Sequence, residues 1–221
     1  MEKKKVLVCA MQLHRRRGPW LQKLEEAGFH VEFNTLGRKL THDELIKQLP
    51  GVYATIAGSE PYNEKSLAAA PELRIIARWG VGYDQVDVDT ATRHGVAVAM
   101  AFGANHEAVA DAAFSLMSSL ANDVLQYHNL VAGGGWGGRY HVGLHRKTVG
   151  IVGIGRIGRA FIRRCKGFEM RILGYDPLLP PSAVQDLGVE LVTLEDLLKE
   201  SDFISLHAPR APETENLINR E

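Results

Sequence analysis

The stretch Thr148-Val-Gly-Ile-Val-Gly153-Ile-Gly155-Arg-Ile-Gly158-Arg-Ala-Phe-Ile-Arg-Arg-Cys165 carries the strongest pattern in the chain. Thr148–Val152 is a short apolar run of buried-strand type, and Arg156–Cys165 has helical apolar spacing. Between them stands GxGxxG. Gly153 permits the tight turn off the strand, Gly155 lets a pyrophosphate approach the backbone, and Gly158 lets the helix pack closely on the strand. The helix N-terminus adds unpaired N–H groups and a positive dipole. The next strand, Arg171–Tyr175, ends in Asp176, 18 residues after Gly158. A carboxylate at that distance accepts hydrogen bonds from the adenosine ribose hydroxyls and repels a 2′-phosphate. The pattern therefore predicts a dinucleotide site that prefers NAD to NADP.

Working outward, strand and helix signals alternate on both sides. Upstream, strands are expected at Lys5–Ala10, Val31–Asn34, Tyr53–Ala57, Leu73–Arg78 and Val96–Met100. Helices are expected at Trp20–Ala27, stopped by Gly28, from the capping box Thr41–Glu44 to Pro50, and around Glu64–Ala70. Asn105–Leu125 reads as one long helix, followed by the glycine loop Ala132–Arg139 with a lone aromatic, Trp136. Downstream, a short strand at Val189–Val192, a helix at Leu194–Lys199 and a strand at Phe203–His207 complete the pattern. Strands separated by helix-length segments imply parallel pairing through right-handed crossovers. The expected fold is α/β with two doubly wound parallel-sheet domains: a flavodoxin-like domain over 1–102, then a Rossmann-type domain over 103–221 in which only about four of six strands can be counted.

The 221 residues carry 26 basic and 26 acidic side chains, so net charge points to neither nucleic acid nor an anionic membrane surface. The apolar N-terminal run is too short to span a membrane and lacks a small-residue cleavage site, which suggests a cytoplasmic protein. Cys9 and Cys165 are far apart in apolar surroundings, as expected of reduced buried thiols, and no metal site is indicated. Arg78-Trp79-Gly80-Val81-Gly82 closes a buried strand; its two glycines leave backbone N–H groups uncovered, which reads either as a nest able to hold a carboxylate or as a plain turn with Arg78 solvated. The basic cluster His14–Arg17 follows the first strand, where it could reach a substrate phosphate or simply be solvated.

Four stretches together resemble the D-isomer-specific 2-hydroxyacid dehydrogenases, and within them the phosphoglycerate-dehydrogenase-like branch: Arg78–Asp87, Gly103–Asp111, Val149–Asp176, and Ser201–Pro209 with Thr214. The resemblance implies a 2-hydroxy or 2-oxo acid substrate held by Arg78, Trp79, Gly80, Val81, Gly82 and Asn105. It implies NAD held by Val109, Gly153, Gly155, Arg156, Ile157, Gly158, Asp176, His207, Ala208, Pro209 and Thr214. It also implies a homodimer formed through the 105–140 region, with Trp136 on a partner-facing arm; an internal anchor for the loop is the alternative. His207 is not read as the catalytic acid. The Arg, Glu and His that do the family's chemistry are expected beyond Glu221, so this chain alone is expected to be inactive and to be part of a dehydrogenase. The rival expectation is a cofactor-binding regulatory protein without turnover. Two departures stand out: Arg146-Lys147 replaces the family's usual Gly-Lys, and Met100-Ala-Phe102 replaces a Pro-containing hinge.

Overall fold

A computed structural model describes residues 3–219; the outer limits expected for the two domains, residues 1 and 221, lie outside them. The chain forms two compact units that divide between Asn105 and His106. Both are α/β with wholly parallel sheets, as the alternation of signals requires.

The first unit contains β1 (Lys5–Val8), α1 (Met11–His14), α2 (Pro19–Glu26), β2 (His30–Phe33), α3 (His42–Gln48), β3 (Val52–Ala57), α4 (Glu64–Ala68), β4 (Ile75–Arg78), α5 (Val88–Arg93) and β5 (Ala97–Met100). The strand order β2-β1-β3-β4-β5 is that of flavodoxin-like folds. Leu7, Cys9, Leu45, Leu49, Val52, Leu67, Leu73 and Ile76 fill the core. The capping box at α3 forms as read: Thr41 Oγ1 accepts from Glu44 N, and the Glu44 carboxylate accepts from Thr41 N. Two short helices were not anticipated. α1 is a single turn, and α5 has too few apolar positions to show a helical period, although Asp87 caps it by accepting from Thr90 N at 2.9 Å.

The second unit contains α6 (His106–Ala121), α7 (Val124–Ala132), β6 (Thr148–Val152), α8 (Arg156–Lys166), β7 (Arg171–Tyr175), β8 (Glu190–Leu191), α9 (Leu194–Glu200) and β9 (Phe203–Leu206). Its order, β8-β7-β6-β9, matches the first four strands of the six-strand dinucleotide fold. β9 forms an edge, with Ile204 and Leu206 exposed. α8 buries Gly158, Ala160, Phe161, Ile162 and Cys165. α6 lies against it through Phe114–Phe161 and through Arg164, which pairs with both Glu107 and Asp111. Both cysteines are free and buried, and burial pushes each thiol up to about 12, leaving them unreactive.

The single helix expected over Asn105–Leu125 is in fact two. The break falls at Asp123, which adopts a left-handed conformation with φ 53°. Asp is among the few residues that tolerate this region. Asn122 Nδ2 donates to Ser118 O at 2.9 Å, and the Asp123 carboxylate accepts from Arg139 Nε at 2.8 Å, so side chains hold the bend without Gly or Pro. Ala132–Arg139 is irregular after the α7 terminus, as expected.

Candidate functional site

The glycine loop stands between β6 and α8 at the carboxyl end of the second sheet. Gly153 has φ +90°, and a Cβ there would meet Ala208 N at 2.6 Å and His207 C at 2.8 Å. The exit of β9 therefore crosses directly over Gly153. A Cβ at Gly158 would collide with the Gly153 carbonyl oxygen, which explains the third glycine as a helix–strand packing requirement. Gly155 differs: a Cβ there would meet nothing within 4 Å. That open side faces the α8 N-terminus, where the Gly155 and Ile157 N–H groups have no partner among the described residues. A bare backbone, two free donors and the helix dipole are what a pyrophosphate needs.

Asp176 leaves β7 half-buried and reaches back to this loop. Its Oδ2 accepts from Ile154 N at 2.9 Å and its Oδ1 from Leu178 N at 3.1 Å. Each oxygen keeps a lone pair, so the carboxylate is held in place and still able to accept from ribose hydroxyls. The residues present thus fit a dinucleotide. His207 N donates to Val152 O at 2.7 Å, its ring lies 5.2 Å from that of Phe161, and Nε2 shares a 3.0 Å hydrogen bond with Ser205 Oγ. Burial pushes its pKa down. Thr214 ties the following turn, accepting from Ala211 N and donating to Pro209 O at 2.7 Å. Gly153, Asp176, His207 and Ala208 are thereby brought to one end of the sheet, with Arg156 and Ile157 on the first turn of α8. Val109 sits exposed on α6.

In the first unit, the loop after β4 is braced. Arg78 Nε donates to Gly82 O at 2.8 Å, and Nη1 donates to Ala57 O at 3.2 Å. Trp79 N donates to Ala57 O at 2.9 Å, and Ala101 N to Gly80 O at 3.0 Å. Gly80 has φ +145°, open to glycine and strained for other residues. The N–H groups of Val81 and Gly82 have no partner among the described residues. Arg78, read from sequence as a substrate residue, has two of its donors engaged in holding this loop. Asn105 Oδ1 is buried without a hydrogen-bond partner, the kind of orphan that functional sites tolerate.

Sequence reasoning missed a cavity of about 220 Å³ beside this loop, at the carboxyl ends of β1, β3 and β4. Gln12, Lys39, Ser59, Glu60, Arg78 and Trp79 line it. They come from four separate segments, and only the sheet topology assembles them. The cluster His14–Arg17 is not part of it. The His14 ring meets Phe33 edge-on at 5.4 Å, and the Arg17 guanidinium lies 5.3 Å from the same ring. Trp136 is 94% exposed, with no hydrogen-bond or ring partner among the described residues, which speaks against its alternative reading as an internal anchor.

Comparison with known proteins agrees with this geometry. Residues 114–221 match the model of the D-isomer specific 2-hydroxyacid dehydrogenase NAD-binding domain. A glyoxylate reductase of Korarchaeum cryptofilum is 43% identical over 169 residues, 74% of this chain and 51% of that protein. A D-3-phosphoglycerate dehydrogenase of Archaeoglobus fulgidus is 36% identical over 200 residues, 89% of this chain and 37% of that protein. The structure of Escherichia coli D-lactate dehydrogenase superposes with a TM-score of 0.80 at 31% identity, covering 98% of this chain and 68% of the other. The chain belongs to the D-isomer-specific 2-hydroxyacid dehydrogenase family and contains its NAD-binding domain. It spans only about half the length of the first of these curated relatives. No helix among the described residues is long and apolar enough to cross a membrane.

Proposed function

We propose that this chain provides the cofactor grip and the substrate-carboxylate nest of an NAD-dependent oxidoreductase acting on the CH–OH group of a D-2-hydroxy acid. The observation that carries the reading is the glycine loop: open above Gly155, closed beneath Gly153 and Gly158, with Asp176 fastened to Ile154 N. In this reading Gly155, Arg156 and Ile157 hold the pyrophosphate by backbone N–H groups, and Asp176 takes the ribose hydroxyls. Val109, His207, Ala208, Pro209 and Thr214 border the rest of the cofactor. The unpaired N–H groups of Val81 and Gly82 hold the substrate carboxylate, on a loop kept rigid by Arg78, Trp79 and Gly80, with the buried Asn105 oxygen as a further polar contact.

Bound NAD supplies hydride acceptance at its nicotinamide. The first unit serves the substrate and the second the cofactor, with the expected boundary near residue 102. The Arg, Glu and His of the family's chemistry are not among these 221 residues, so this polypeptide alone should bind NAD without turnover. A cytoplasmic homodimer is part of the same proposal. Its support is the apolar surface of the 105–140 region, where Leu116, Leu120, Leu125 and Trp136 are all more than two-thirds exposed. The test pairs calorimetric NAD titration with an assay for hydroxyacid-dependent NADH formation. Binding without turnover is expected. Absence of NAD binding overturns the cofactor reading, and NADH formation by this polypeptide overturns the assignment of the chemistry to residues outside it.

A further inference from the structure

Another cavity of the first unit lies at the end of the sheet opposite the Val81–Gly82 nest. It measures about 600 Å³ and sits where β1, β2, β3 and β4 begin. Strands of four to six residues separate the two ends, roughly 15 Å at the usual rise per residue. Its lining is rich in cations, and their pairing is uneven. Lys5 Nζ lies 3.6 Å from one Glu32 oxygen, and His30 Nε2 lies 3.4 Å from the other, so that carboxylate is already engaged. Lys3, Lys4 and Arg74 have no carboxylate within 4.0 Å among the described residues. Glu72, the remaining acid in the lining, has no cation partner there either. Three unpaired cations thus face one carboxylate, an excess of positive charge.

These cations are held by groups that leave their charge unanswered. Lys4 Nζ stands 4.0 Å from the centroid of the Tyr53 ring, which stacks in turn on Phe29 at 6.1 Å. Arg74 Nη1 donates to the carbonyl oxygens of Pro71 and Leu73, both at 2.8 Å, and Arg74 N donates to Tyr53 O at 2.8 Å. Its Nε and Nη2 have no partner among the described residues. β3 lies between β1 and β4 in the sheet, so the lysines and the arginine flank Tyr53, their backbones about 10 Å apart at the usual strand spacing. Long side chains at that separation can reach a common anion between them. The cavity falls within the roughly 300–1,000 Å³ of small-molecule sites. Glu32 and Glu72 in its lining disfavour a nucleic-acid backbone or an anionic lipid surface, which would bring a row of negative charges past both.

We infer that this cavity binds a small phosphorylated anion, gripped between Lys3, Lys4 and Arg74 at the opposite end of the sheet from the substrate nest. An arginine fork and two ammonium groups suit phosphate oxygens, which accept several charge-assisted hydrogen bonds at once. None of the lining residues belongs to the proposed substrate or cofactor site, so the inference stands apart from that reading.

Isothermal titration with inorganic pyrophosphate tests it, with saturating NAD present to block phosphate binding at the glycine loop. Binding is expected, and added salt should weaken it. Lys3→Gln, Lys4→Gln and Arg74→Gln should each cost about threefold or more, and the Lys3→Gln/Lys4→Gln double variant about tenfold. NAD affinity should be the same in all of them. Arg74→Gln also removes two hydrogen bonds to the backbone, so the two exposed lysines carry the test if that variant melts early. Amide NMR shifts on adding pyrophosphate should gather at Lys4, Tyr53 and Arg74. No binding of pyrophosphate, full binding by the double lysine variant, or shifts gathered at Val81 and Gly82 instead would overturn the inference.

Discussion

Two glycines of one motif should fail in opposite ways when given a methyl group. In Gly153→Ala the residue keeps φ near +90°, a conformation that costs an L-residue about 1–2 kcal/mol. Its Cβ would stand 2.6 Å from Ala208 N and 2.8 Å from His207 C, both backbone atoms that cannot swing aside. Relieving such overlap typically costs a further 1–3 kcal/mol or so. The sum is about 2–5 kcal/mol, a fall in Tm of roughly 5–20 °C for a protein of this size. In Gly155→Ala the backbone, at φ −72° and ψ −161°, suits alanine, and nothing lies within 4 Å of the new methyl. Stability should hold or rise by up to about 1 kcal/mol, since the unfolded chain loses freedom. That methyl stands where the pyrophosphate must approach, so NAD affinity should fall at least about tenfold, or 1.4 kcal/mol. Scanning calorimetry and isothermal titration on the two variants give both readouts. A Gly153→Ala protein that melts like the parent would refute the close crossing of the β9 exit, and a Gly155→Ala protein that binds NAD normally would refute the placement of the phosphates.

Arg146 holds φ +59°, and its contact with Glu169 at 3.3 Å is solvent-screened, so Arg146→Gly should raise stability by up to about 1 kcal/mol in a melting experiment. A loss of that size would mean that the side chain does more than the structure indicates. Burial lowers the pKa of His207 below 6.5. The unfolded chain therefore binds the proton first as pH falls, and stability should decline from about pH 6.5 down to the folded-state value. His207→Asn should flatten that part of the profile, and an NMR midpoint above 6.5 would reverse the sign. Trp136→Ala should shift the protein from dimer toward monomer in analytical ultracentrifugation, and an unchanged mass would rule this residue out of the interface.

The sheets were legible where the pattern was local. β6 and β7 begin and end at the residues read from sequence, because both are buried runs punctuated by glycine or by Asp176. The break at Asp123 left no mark, since its cause is a hydrogen bond from Arg139, 16 residues away, and not a helix breaker. α5 escaped notice because its register depends on the Asp87 cap and not on an apolar face. At the glycine loop the sequence singled out three glycines, but not that a Cβ at Gly153 would strike the β9 exit while one at Gly155 would meet open space. The Lys39 cavity was hidden, since four segments distant in sequence build it.

The central claim is that the second unit grips NAD through the glycine loop and Asp176. Parallel titrations of the protein with NAD and NADP test it most directly, repeated on Asp176→Ala. The expected result is at least about tenfold tighter binding of NAD, with the preference gone in the variant as the ribose acceptor and the repulsion of the 2′-phosphate disappear together. Equal affinities in the parent protein, or a preference for NAD that survives the loss of the Asp176 carboxylate, would contradict it.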